Sequence, residues 1–139
     1  MTITLELTRY FTPEEATALL PEILVHVGAI KTDLAQLKTI VQEAPDHLEF
    51  EEQEEIRETI LGIERRLAGR MENIEAIGVQ VKGTAPVLLD FPALHNGQEV
   101  VLCWREGEED VVWWHPAHTG FRGRQQVDPD KLGCWEWCN

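Results

Sequence analysis

Residues 11–43 read FTPEEATALLPEILVHVGAIKTDLAQLKTIVQE, and their periodicity decides the fold class. Leu20, Ile23, Val27, Ile30, Leu34, Leu37 and Val41 recur at alternating spacings of three and four, the rhythm of a helix packed lengthwise on another helix. The start of this helix is marked as well. Thr12 is placed as N-cap, Pro13 takes the first helical position where its missing N–H costs nothing, and Glu15 can bond back to the cap. Pro21 removes a backbone donor and crowds the preceding turn, which predicts a kink or a short separate first turn.

The stretch Ala44-Pro45-Asp46-His47 ends this helix, and Asp46 with Glu49 repeats the capping pattern for a second one. Its seam is Ile56, Ile60, Ile63, Leu67, Met71, Ile74 and Ile77, with Gly78 where a C-terminal cap belongs. Two helices of about 30 residues would each run about 45 Å, and so short a connection makes them antiparallel neighbours. The run Glu49, Glu51, Glu52, Glu54 and Glu55 falls in the first turns of the second helix, where the dipole tolerates negative charge, and reads as a solvated face. One pairing of two long seams leaves apolar flank uncovered. The pattern therefore predicts both a hairpin and a homodimer through the helices.

After Gly78 the period changes to two. Val79–Lys82 and Val87–Phe91 read as short strands, the second buried on both faces because its apolar run is almost continuous. Asn96-Gly97 is a tight-turn signal. Glu99–Arg105 and Asp110–His115 read as a hairpin with Gly107-Glu108 at its tip, pairing Arg105 with Asp110, Trp104 with Val111 and Cys103 with Val112. This register puts Val100, Leu102, Trp104, Val111, Trp113 and His115 on one face, and Cys103 on the other. It separates Cys103 from His115, which disfavours a nucleophile–base pair or a shared metal between them. The expected architecture is a single α+β domain over residues 1–139, with a long antiparallel helical hairpin at 11–78 followed by a small antiparallel β-sheet in the β-rich part at 79–139.

Composition narrows the partners. The 139 residues carry 25 acidic and 12 basic side chains, a formal charge of -13 that repels nucleic acid and anionic lipid, so neither is an expected partner. No apolar run approaches the roughly 20 residues of a membrane span, and MTITLELTRYFT lacks the basic start and apolar core of a signal peptide. Three cysteines, two of them in the last six residues, do not make a secreted disulfide framework. A cytoplasmic protein with reduced thiols is expected.

The segments GVQVK, LLDFPAL, GQEVVLCWR, WH and GFRGRQ, preceded by YFTPEEATALLPEI, resemble in order and spacing the pattern of the DUF2203 family of small bacterial proteins of unknown function. The resemblance covers residues 10 to 126. It implies a helical hairpin followed by a small sheet, and no established activity. The tail DPDKLGCWEWCN lies outside it.

Candidate site residues concentrate in the second half. Arg105, Arg122 and Arg124 could form a local positive spot around a Gly-rich turn and, with Asp90 nearby, hold a carboxylate or phosphate. The structural alternative pairs Arg105 with Asp110 and Arg122 or Arg124 with Asp90 or a helix carboxylate. His115 and His118 have a spacing that could hold a divalent metal if the loop curls. The alternative makes His115 a hydrogen-bonded residue beside Trp104 and Trp113, and His118 an exposed loop residue. Trp135 and Trp137 alternate with Cys134, Glu136 and Cys138 in a terminal strand. No nucleophile elbow or phosphate loop is present, so no cofactor is expected and a non-enzymatic homodimeric binding or scaffold protein is the leading reading. A small enzyme or metal- or anion-binding protein using Asp90, His115, His118, Arg122 and Arg124 is the alternative.

Overall fold

Thr12 starts the first helix as the sequence requires: its hydroxyl accepts from the Glu15 N–H at 3.2 Å, and helix α1 runs Pro13–Glu43. The Glu15 carboxylate accepts from Arg9 at 3.2 Å. α1 continues through Pro21, so of the kink or separate first turn expected there, the separate turn does not form. Helix α2 runs Phe50–Ile77, starting later than the Asp46 signal suggested, and Gln53 donates to the Leu48 carbonyl just before its first turn. Gly78 at φ 100° ends α2, a left-handed backbone that favours glycine. The Arg9 guanidinium, lying over the Phe11 ring, donates to the Ile77 carbonyl at 3.0 Å and so satisfies one of the helix's terminal acceptors. The structure, a computed structural model, describes residues 9–136. Trp137 and Cys138, expected in a terminal strand, lie outside the described residues.

The chain gathers into two compact units, one of the described residues up to Pro21 with those from Ile77 onward, the other Glu22–Ala76. In the second, α1 and α2 form the helical hairpin. Ile23, Val27 and Ile30 on α1 and Ile63 and Ile74 on α2 are buried, as the seams predict. Leu34 and Val41, further along the first seam, are exposed.

The other unit is built on an antiparallel sheet with β1 at Gln80–Thr84, β2 at Val87–His95, β3 at Gln98–Arg105, β4 at Trp113–Pro116, β5 at Gln125–Gln126 and β6 at Trp135–Glu136. The order is β1-β2-β3-β4-β5, and β6 pairs with the far end of β2. β2 and β3 form a hairpin closed by Asn96 (φ 53°) and Gly97 (φ 77°), the two positive φ angles of a type I′ turn. β2 alternates between buried Val87, Leu89, Phe91 and Ala93 and half-buried neighbours. This corrects the expectation that it is buried on both faces. Its apolar run is interrupted at Asp90 and Pro92, which share the less buried face. Pro92 fits because its carbonyl accepts from the Phe11 N–H at 2.8 Å, so its missing donor would have pointed to that same outer edge and not to β3.

The expected hairpin after β3 is also corrected. β3 ends at Arg105 and β4 begins at Trp113, so residues 106–112 form the connection. Cys103 faces Trp113, not Val112, and Val101 faces His115. A slip of one residue exchanges the faces of a whole strand. Cys103 and His115 therefore share a face with Trp113, while Trp104 lies opposite them with Leu102 and Trp114.

Candidate functional site

Two successive rows cross the half-buried face of the sheet. Asp90, Cys103 and Trp113 stand opposite one another on β2, β3 and β4, and Pro92, Val101 and His115 form the next row. The bulge between Val81 and Gly83 in β1 brings Lys82 to the same neighbourhood. Burial pushes the Asp90 carboxyl above its ordinary range, with His115 and Lys82 acting against that shift. His115 is buried, and its Nδ1–H donates to the Pro116 carbonyl at 2.8 Å.

Arg124 is aimed at this face by the turn before it. A 3₁₀ turn, Phe121–Gly123, follows Gly120 at φ 71°, and a Cβ on Gly123 would lie 2.6 Å from the Thr119 hydroxyl, so only glycine permits the turn. The guanidinium then lies 4.5 Å from the Trp113 ring centre and 4.3 Å from that of Phe121. Its Nη1 donates to Glu108 Oε2 at 2.9 Å. Glu108 is the organising residue of the 106–112 connection. Its other carboxylate oxygen accepts from the Arg105 N–H at 2.7 Å, and its backbone carbonyl accepts from Trp104 Nε1 at 3.0 Å. Sequence reasoning read Glu108 as the tip of a tight turn; its pairing with Arg124 sixteen residues away leaves no local signal.

This geometry brings Asp90, His115 and Arg124 around Cys103. The Arg105, Arg122 and His118 side chains remain exposed, outside the cluster. The Cys103 thiol is pushed up to about 11, first by burial and then by the Asp90 and Glu108 charges, with the Arg124 guanidinium offsetting part of the shift. At neutral pH it is a neutral thiol, which is a poor nucleophile. Arg124 is paired with a carboxylate and lies against two rings, so its charge is already used within the fold. Among the described residues no group of three or more His, Cys, Asp or Glu side chains could hold a metal ion.

The hairpin carries a second constellation that the sequence reading missed. Asp33, 3% exposed, accepts from Arg66 at 3.0 Å and from Arg70 at 2.9 Å, and Arg66 also donates to Gln36 at 3.2 Å. The i,i+4 arginine pair beside Ile63 and Leu67 was the available signal. Further toward the connecting loop, Leu48, Gln53, Ile56, Arg57, Ile60 and Leu61 border an open groove of about 420 Å³ on α2.

No helix among the described residues is long and apolar enough to cross a membrane. No curated protein and no solved structure shows a significant match to the chain. The model of the family described as an uncharacterized conserved protein, DUF2203, matches residues 9–127, and the chain, with its two long helices followed by an antiparallel sheet, belongs to that family.

Proposed function

We propose that this is a non-enzymatic binding or scaffold protein that works as a homodimer joined through its helical hairpin. The observation that carries this reading is the uncovered apolar flank of the outer hairpin. Leu34, Val41 and Leu61 are exposed, and the groove on α2 is walled by Ile56, Ile60 and Leu61. Water contact on such a stripe is costly, and a second hairpin removes it by completing a four-helix arrangement. One self-complementary pair on an otherwise acidic flank favours a second copy as the occupant, and Arg57, which within the chain pairs with Glu54 at 3.3 Å, would exchange that partner for one across the dimer. A two-fold axis passing between Ile60 and Leu61 would set Arg57 of one copy against Glu64 of the other, and the reverse.

The sheet supports the non-enzymatic part, since its buried thiol is held neutral and its best-placed arginine is paired with Glu108. The free thiols of Cys103 and Cys134 fit a reducing compartment such as the cytoplasm. Light scattering coupled to size exclusion tests the dimer. The wild-type chain should elute with twice the monomer mass at micromolar concentration, and Leu61→Asp should be monomeric with unchanged helix content by circular dichroism. Arg57→Glu should weaken the dimer, and adding Glu64→Arg to the same chain should restore it. A wild-type chain that is monomeric throughout overturns the proposal.

A further inference from the structure

On the opposite side of the sheet from Cys103 lies a cavity of about 350 Å³ whose lining includes His95, Trp114, Gln125, Asp128, Lys131 and Trp135. We propose that it binds a small planar heterocycle carrying one anionic group, a ligand of the size of a single nucleotide.

The argument starts with the rings. His95, at the end of β2, lies 4.6 Å from the Trp114 ring and 4.7 Å from the Trp135 ring, and the two indoles meet edge to face at 5.8 Å. Trp135 is buried, whereas Trp114 and His95 are only half-buried and present ring surface to the cavity. Open aromatic surface beside polar groups is the composition of a stacking site. Gln125 pairs with Trp114 across β4 and β5, so its amide stands on the same side as the indole. A primary amide next to a stacking face can read the donor–acceptor edge of a planar heterocycle, as it does with bases.

The charges then select the ligand. Asp128 accepts from the Asp130 N–H at 2.9 Å through Oδ1 and caps the 3₁₀ segment Pro129–Cys134, which fixes that oxygen while the carboxylate keeps its charge on the lining. Lys131, in that segment, brings an ammonium group to the rim in a chain of net charge -13. A neutral ring would leave that cation unused, and a bare phosphate would leave the aromatic wall unused. The volume sits near the lower end of the roughly 300–1,000 Å³ typical of small-molecule sites, which suits one nucleotide and excludes a dinucleotide. Asp128, Lys131 and Trp135 lie beyond the residues that match the family, so the site belongs to this chain's own tail as much as to its sheet.

Two sources share this chemistry, nucleoside monophosphates and heteroaromatic carboxylates. Titration calorimetry on the full chain with AMP, GMP, CMP and UMP forms one arm, and nicotinate and indole-3-acetate form the other, with adenosine and inorganic phosphate as single-feature probes. Saturable binding is expected in one arm, with phosphate alone failing to bind. Lys131→Ala should weaken the anionic ligand about tenfold without changing the affinity of its uncharged counterpart, and Gln125→Ala should weaken both. Both side chains are exposed, so the variants should keep the wild-type fold by circular dichroism. Absence of binding in both arms at millimolar concentration overturns the proposal, as does binding that neither substitution changes.

Discussion

Asp33 and Asp90 are carboxylates withdrawn from water with opposite compensation. The hydrogen bonds from Arg66 and then Arg70 hold Asp33 below its ordinary range. The folded state therefore binds fewer protons than the unfolded chain near pH 4, and the stability Asp33 supplies is present above that pH and lost as pH falls through its folded value. Asp33→Asn should lower Tm by about 5 °C at neutral pH, and calorimetry near pH 3 should show the gap closing. Asp90 runs the other way. Burial raises its pKa, so the folded state holds the proton longer and stability is lost as pH rises through the raised value. Asp90→Asn should raise Tm at neutral pH and leave it unchanged in acid; a lower Tm at neutral pH would mean that His115 and Lys82 outweigh the desolvation. Neither environment was legible from local sequence. Asp33 looks like one more polar position beside the seam, and what marks it out is a pair of arginines more than thirty positions away.

At the scale of elements, legibility followed how local the determinants are. The Thr12-Pro13 start, the Gly78 stop and the Asn96-Gly97 turn each rest on a few adjacent residues, and each appears as read. Gly97 at φ 77° should be sensitive: Gly97→Ala is expected to cost about 1 kcal/mol in chemical denaturation, and a neutral result would show that the β2–β3 turn is not held in its I′ form. The β3–β4 register was misread because Val111 and Val112 have strand-like composition. Their partners lie elsewhere. The Val111 N–H donates to the Thr17 hydroxyl at 3.0 Å, and the Val112 carbonyl accepts from the Val127 N–H at 2.7 Å. Those residues are drawn into a connection of odd length, and parity did the rest. The same slip exchanged the faces of the candidate site, returning Cys103 to the side of His115 and placing Trp113 under Arg124.

For the whole molecule, net charge and apolar flank pull in opposite directions. Two chains of charge -13 repel each other, so an association driven by apolar burial should strengthen when salt screens that repulsion. Sedimentation at low and high sodium chloride checks this, and a dimer that dissociates as salt rises would instead point to ion pairs as its main support. The helix-then-sheet order and the acidic surface were readable from pattern and composition. What was not readable was how the outer edge of β2 is closed. Three segments share it, two of them distant in sequence: the adjacent β1 pairs with residues 87–90, the Phe11 N–H bonds to Pro92, and β6 pairs with Leu94 and His95. An unpaired edge is a template for strand addition by another molecule. The last of these segments lies beyond the stretch that defines the family. A chain cut back to the family boundary would therefore keep its hairpins yet bare the Leu94–His95 end of β2, adding one more template for strand addition and aggregation.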